Sequence, residues 1–277
     1  MMTGYLKRSF EIDNEQFVTA YDELPLWSAP FGLLLLEKLK LRPRMRVLDV
    51  GCGTGFPALE LAQRLGETSV VYGIDPWRAA LKRATSKAQN YGVKNVRLIE
   101  GDAAAMSFSD RSFDLVVSNL GINNFDKQED VLREVYRVLK PAGQVALTSN
   151  FKGHMDELYT IFKSTLRELG LDMLLEPLQR HIDHRSDLDS LCSRLQKTGF
   201  TVTDRQKSSF RLRFLDGSSV FRHYFIQLGF LAGWKQVVPE KLQISVFNQL
   251  ERNLNDYAAR NGELALSIPF GYVEGTK

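Results

Sequence analysis

The sequence predicts an α/β fold in which a mostly parallel sheet carries helices on both faces. Three observations lead there. Short apolar runs each end in a polar residue, helical stretches alternate with them between Arg46 and Asn150, and a glycine-rich turn directly follows the first run. With 277 residues, 44% of them hydrophobic and 25% charged, the chain can bury a full core. It reads as one domain with additions rather than two equal ones.

The first run, Val47-Leu48-Asp49-Val50, leads into Gly51-Cys52-Gly53-Thr54-Gly55, with glycine at every second position. Bare glycines accept positive φ and let a ligand approach the main chain. The helix that should follow, from about Phe56 to Leu65, brings unpaired N–H groups and a partial positive charge to the turn. Such a turn suits the charged tail and ribose of a nucleotide-like cofactor. Counted from Gly51, a dinucleotide fingerprint would place Phe56 where its close helix–strand contact needs a small residue.

The second strand, Val70 to Ile74, stops at Asp75, placed to accept hydrogen bonds from both ribose hydroxyls. A third, Asn95 to Glu100, runs into Gly101-Asp102-Ala103, where Asp102 either serves a ligand or caps the segment after it. The fourth, Phe113 to Asn119, is followed by Leu120-Gly121-Ile122-Asn123-Asn124. A helix from about Lys127 to Leu139 then reaches the turn Lys140-Pro141-Ala142-Gly143 before a fifth strand. Ala142 makes a left-handed turn there costlier than glycine would.

In this order and spacing, these segments resemble the signatures of class I S-adenosylmethionine-dependent methyltransferases, in the small-molecule branch typified by ubiquinone and menaquinone biosynthesis enzymes. The resemblance covers Arg46 to Asn150 well and the flanks weakly. It implies a Rossmann-like, seven-stranded, mostly parallel sheet with an antiparallel last strand. It further implies S-adenosylmethionine as cofactor, S-adenosylhomocysteine as product, and methyl transfer by in-line displacement to a small, partly apolar molecule. Carried over residue by residue, Asp49, Gly51, Cys52, Gly53 and Gly55 form the cofactor turn. Asp75, with Pro76 and Trp77, holds the ribose, and Asp102 and Ala103 meet the adenine. At the fourth strand tip, the Asn119 backbone carbonyl meets the ammonium, with Leu120 beside it. Ser118-Asn119-Leu120-Gly121 lacks the Asn-Pro-Pro-aromatic form associated with methylating bases or glutamine.

The flanks divide the chain into an N-terminal helical segment covering the site (1–45), a core (46–214), a helical cap inserted between the sixth and seventh strands (215–262) and a closing strand (263–277). Two helices, about Asn14 to Tyr21 and Pro30 to Leu39, make up the first segment. Tyr21, Trp27 and Phe31 either form a pocket wall or pack that segment on the sheet. After the fifth strand come helices from about Met155 to Leu169 and Asp187 to Thr198, then a strand from Thr201 to Phe214. The cap holds helices from Asp216 to about Trp234 and from Pro239 to about Asn261. Its aromatic stripe (Phe221, Tyr224, Phe225, Phe230, Trp234) is either core or pocket. Asn123, Asn124, Phe221 and Tyr224 join Tyr21 and Trp27 as substrate-pocket candidates.

A net charge of +3 is too small for a nucleic-acid footprint, and Lys38 to Arg46 reads as a solvated edge. The partner expected is therefore a small-molecule acceptor, with no nucleic acid; a homo-oligomer stays open. A methyltransferase for protein or RNA, or a non-catalytic cofactor-binding module, are the competing functions. Two cysteines, Cys52 and Cys192, build no disulfide framework, the first residues show no leader pattern, and the longest apolar stretch is far short of a membrane span. Together these point to the cytoplasm. His154 and His223 are the candidates for a general base, if the acceptor needs one. His181 and His184 lack a convincing third ligand, so no metal is expected.

Overall fold

The computed structural model describes residues 4–24 and 27–277. In chain order the elements are α1 (Glu15–Asp22), α2 (Ala29–Lys38), β1 (Arg46–Val50), α3 (Ala58–Leu65), β2 (Val70–Asp75), α4 (Arg78–Asn90), β3 (Val96–Glu100), β4 (Phe113–Asn119), α5 (Gln128–Val138) and β5 (Leu139–Asn150). There follow α6 (Asp156–Glu168), α7 (Leu175–Asp183), α8 (Leu188–Thr198), β6 (Thr201–Phe214), α9 (Gly217–Arg222), α10 (Tyr224–Ile226), α11 (Ala232–Val237), α12 (Glu240–Asn261) and β7 (Leu264–Thr276). One seven-stranded sheet has the order β3-β2-β1-β4-β5-β7-β6. Strands β1 to β5 pair in parallel and β7 runs antiparallel to β5, which is the sheet the motifs imply.

The chain forms two compact units. The sheet unit comprises residues 11–150, 187–208 and 270–277; the helical unit comprises 1–10, 151–186 and 209–269. In the sheet unit, Val47, Leu48, Val116 and Val117 are sealed from solvent, as apolar runs of central parallel strands must be. Helices α3 and α5 turn apolar faces inward, burying Leu59 with Leu61 and Val131 with Val135. The turn expected before β5 is a bulge within it: β4 pairs Phe113 with Leu139 and then Leu115 with Gln144, leaving 140–143 outside the ladder. Ala142 takes the left-handed conformation there (φ 59°).

The helical unit extends beyond the expected 215–262 insertion. Helices α6 and α7 belong to it, α6 packing on α12 and α7 on α11. The N-terminal segment divides as well, because Tyr5 stacks on Phe221 with ring centroids 4.9 Å apart and donates to Glu251 across 3.3 Å. Residues 4–10 therefore go with the helical unit and only 11–45 with the sheet. Strands β6 and β7 each begin in one unit and end in the other, so the closing strand is not confined to the core. The helix expected over Asp216–Trp234 is interrupted: His223 is extended (ψ 123°) and a π-helical turn spans Gln227–Leu231. Gln227, buried inside that turn, sends its side-chain amide back to the Phe221 carbonyl across 2.7 Å.

Candidate functional site

Positive φ at Gly51 (78°), Gly53 (49°) and Gly55 (102°) turns the chain sharply between β1 and α3. The three glycines serve different needs. A Cβ on Gly55 would lie 2.9 Å from the Leu59 side chain and 3.1 Å from Ala84, so this residue makes the close helix contact. A Cβ on Gly53 would meet nothing within 4 Å, leaving open space beside the main chain. Phe56 lies against α2, where Gly32 has no room for a Cβ.

Two carboxylates tie this turn to the strands. Asp75, at the end of β2, accepts from the Gly53 N–H and the Trp77 N–H, each at 2.8 Å. Burial raises its carboxyl above the usual range, against the lowering effect of those two bonds. Asp49 is fully buried and accepts from the Ala58 N–H through Oδ2 at 3.1 Å. Its Oδ1 has no partner among the described residues. Burial, with the Asp75 charge nearby, lifts Asp49 to about 8.

These bonds correct one expectation. The helix begins at Ala58 rather than Phe56, Pro57 has no N–H, and the Ala58 and Leu59 amides are taken by Asp49 and the Gly55 carbonyl. What the turn offers a ligand is open space at Gly53, not a row of free helix amides; the Asp49 carboxyl oxygen without a partner among the described residues lies buried behind it. Cys52 is buried, and burial beside Asp49 and Asp75 pushes its thiol far up, so it stays protonated.

Gly51 to Gly55, Pro76 and Trp77 after Asp75, Asp102 and Ala103 after β3, and Asn119 and Leu120 at the end of β4 all lie at carboxyl ends of parallel strands. That is where open α/β sheets bind ligands. Asp102 is exposed and its Oδ1 accepts from the Ala104 N–H at 2.8 Å, bracing a turn with no helix after it. The Asn119 side chain is committed: it accepts from Thr148 at 2.7 Å and donates to the Ser28 carbonyl at 3.3 Å. Leu120 is left-handed (φ 66°), an uncommon conformation for a bulky residue and one that collects at functional sites.

The family model described as a methyltransferase domain matches residues 41–202, more than half of the chain. The chain belongs to this family. It is a class I S-adenosylmethionine-dependent methyltransferase. A demethylmenaquinone methyltransferase of Lactococcus lactis is 27% identical over 214 residues, covering 72% of this chain and 81% of the relative. Another of the same name, from Listeria welshimeri, is 33% identical over 132 residues, 48% of this chain and 56% of its own length. A solved SAM-dependent methyltransferase of Aquifex aeolicus shares the fold, with a TM-score of 0.54 at 20% identity, covering 69% of this chain and 91% of that one.

The methyltransferase places the acceptor candidates unevenly. In the sheet unit, Tyr21 sits edge-on to Trp77 with centroids 5.3 Å apart and stays 39% exposed. Burial of its hydroxyl end and the Asp75 carboxylate raise that phenol. Trp27 packs 5.6 Å from Phe31, which is itself sealed against Phe270, so Phe31 packs the segment and walls no pocket. Asn123 donates to Asn150 and accepts from Ser149, whereas Asn124 is exposed. In the helical unit, Phe221 is enclosed by Tyr5, Trp234 and Phe247 and has no free face. Tyr224 lies under the Arg8 guanidinium at 4.7 Å. The aromatic stripe is thus core at Phe221 and Trp234.

Of the base candidates, His154 is buried and packs 5.0 Å from Phe230, whereas His223 is exposed in the bend after α9. Burial lowers both, His154 far below the usual range. Both belong to the helical unit. Sequence reasoning missed two features of the sheet unit. Thr148, Ser149 and Asn150, buried at the end of β5, bond to Asn119 and Asn123; three polar residues closing the run Val145-Ala146-Leu147 were the available signal. Asp22, at the end of α1, accepts from Arg83 at 2.8 Å and Lys87 at 2.5 Å. Those partners are distant in sequence, so no local pattern announced them. Burial opposes its charge, but Lys87, Arg83 and Thr54 hold the Asp22 carboxyl below its usual range.

Proposed function

We propose that the methyltransferase binds S-adenosylmethionine at the carboxyl ends of β1, β2, β3 and β4 and methylates a small, partly apolar molecule. One observation carries the reading: the open space at Gly53 lies in the turn that Asp49 and Asp75 tie to the ends of β1 and β2. In this reading Asp49 and the Asn119 carbonyl receive the amino-acid tail. Asp75, whose oxygens each keep a lone pair after their backbone bonds, receives the ribose hydroxyls. Asp102 and the Ala103 N–H take the adenine edge, and Trp77 with Tyr21 bounds the site on the side of α1 and α4.

When bound, the cofactor supplies a methyl group already activated on a sulfonium. The protein's work is then alignment and exclusion of water, which can contribute about 7–11 kcal/mol. The Asp22 pairs with α4 keep the first helix fixed against the sheet unit. A general base enters only if the acceptor must lose a proton. The name shared by the relatives makes demethylmenaquinone the first acceptor to try. No helix among the described residues is long and apolar enough to cross a membrane, and we place the reaction in the cytoplasm, in keeping with two unpaired, buried cysteines.

The test is ligand-dependent melting followed by turnover. S-adenosylhomocysteine at 100 times its dissociation constant should stabilise the protein by about 2.7 kcal/mol, and NADH should leave it unchanged. Labelled methyl should then pass from donor to demethylmenaquinone. Stabilisation without transfer to it or to any molecule in a metabolite extract would reduce the protein to a cofactor-binding module.

A further inference from the structure

The loop 101–112, between β3 and β4, carries Asp102 and Ala103 and has no helix or strand of its own. At its start the Gly101 N–H donates to the Asp75 carbonyl at 3.2 Å. The Ala105 N–H then closes a turn on the Asp102 carbonyl at 3.1 Å, so Asp102 and Met106 move together. Ala103 is buried inside this turn, yet its N–H makes no hydrogen bond among the described residues. The bond a backbone amide ordinarily makes is left there to a partner outside the chain.

The loop is held from α5. Arg137 makes five hydrogen bonds, as many as a guanidinium has N–H donors. Nε and Nη2 reach the two carboxylate oxygens of Glu134 at 2.7 and 2.8 Å. Nη2 also donates to the Met106 carbonyl at 2.9 Å, while Nη1 donates to the Phe108 carbonyl at 2.7 Å and to Asp110 at 2.8 Å. Glu134, one turn earlier on α5, accepts the Met106 N–H at 2.7 Å. The Arg111 and Ser112 N–H groups donate to the carbonyls of Arg137 and Val138 at 3.0 and 2.7 Å, closing the far end of the loop.

An exposed ion pair contributes little by itself. This pair is half-buried, and it meets both main-chain groups of Met106, so it fixes backbone rather than another side chain. The Arg137 bonds hold the Glu134 carboxyl below its usual range, which keeps the pair ionised at neutral pH.

We propose that Glu134 and Arg137 are positioning residues for base recognition: by fixing Met106 they set where Asp102 and the Ala103 N–H stand, and so give the site its preference for adenine. The inference rests on the reading above in which those two groups take the adenine edge. Adenine presents an amino donor beside a ring acceptor, which suits a carboxylate beside an N–H. Hypoxanthine presents a carbonyl beside a ring N–H and opposes both. Such discrimination depends on placement, because a group moved out of hydrogen-bond range favours neither base.

Calorimetric titration of the full chain with S-adenosylhomocysteine and S-inosylhomocysteine, which differ only in the base, tests this. The unaltered protein should prefer the adenine ligand by about ten-fold or more, as one or two mismatched hydrogen bonds require. Arg137→Gln should lower that preference several-fold. Glu134→Gln, which keeps one acceptor oxygen, should lower it less and serves if the arginine variant fails to fold. Arg133→Gln, at an exposed position of α5 paired with Asp130, should keep it. A preference that Arg137→Gln and Glu134→Gln both retain, however much overall affinity they lose, overturns the proposal and leaves the cofactor reading standing. Equal binding of the two ligands by the unaltered protein overturns the assignment of Asp102 and Ala103, and the proposal with it.

Discussion

The turn after β1 and the tip of β4 stand side by side at the same edge of the sheet, and they solve the same problem in opposite ways. Each must reverse the chain at the carboxyl end of a parallel strand. The turn uses three glycines at positive φ, keeps side chains away and leaves space at Gly53. The tip puts a leucine, Leu120, in the left-handed region and holds it with side chains: Ser118 bonds to the Val50 carbonyl at 2.6 Å, Asn119 to Thr148, and Asn123 to Ser149 and Asn150. A bare turn admits a ligand to its backbone. A turn braced by a buried polar network keeps a strained conformation that no intrinsic preference would hold.

The contrast breaks most readily at Gly121. It follows the strained leucine, and a Cβ there would lie 2.4 Å from Ser118 Oγ and 2.8 Å from the Val50 carbonyl. Gly121→Ala should therefore lower stability by about 1–3 kcal/mol in urea unfolding. The same change at Gly53 meets no atom, and should cost only the strain of its backbone angle while closing the space meant for a ligand. If the two variants unfold alike, the division between braced tip and open turn is wrong.

Asp75→Ala should cost about 1.5–3 kcal/mol of S-adenosylhomocysteine affinity by calorimetry, because it removes the proposed ribose acceptor and frees the Gly53 N–H. Asp102→Ala, at an exposed position, should cost less. The reverse ranking would shift the binding determinants from β2 to β3.

Asp49 makes a pH prediction with a definite sign. Its folded carboxyl titrates at about 8, above the ordinary value of 3.8, so the folded state binds more protons than the unfolded state between those limits. Its contribution is therefore fully present below about pH 4 and is lost as pH rises toward 8, with a slope of up to about 1.4 kcal/mol per pH unit. Asp49→Asn should flatten this part of the stability profile. A profile unchanged by the substitution would show that Asp49 is ionised in the free protein.

The smallest effect lies far from the site. Ala142 is exposed and left-handed in the bulge of β5, and Ala142→Gly should raise stability by roughly 0.5–1 kcal/mol without altering cofactor binding. No gain would mean that this bulge relaxes around a β-carbon.

Much of the sheet unit was legible because its signals are local. A parallel strand buried on both faces has to be an apolar run, and three positive-φ positions within one short turn favour glycine, so β1, β2, β4 and the turn after β1 could be read directly. Strand β6 was expected over its observed span, Thr201–Phe214. Other elements gave no such signal. The break at His223 depends on how Gln227 is bonded, and α7 is a short helix stabilised by α11, so neither is written in local periodicity.

The sequence by itself determined the order of the strands' chemistry, and with it the family and the cofactor: glycines, acids and the asparagine each stand at the end of an apolar run. Tertiary structure alone decided which groups meet. It split the N-terminal segment between two units, sealed Phe221 in a core, and left one oxygen of Asp49 without a partner among the described residues. Those outcomes depend on burial and on contacts between residues tens to hundreds of positions apart, and such pairings leave no trace in the spacing of neighbours.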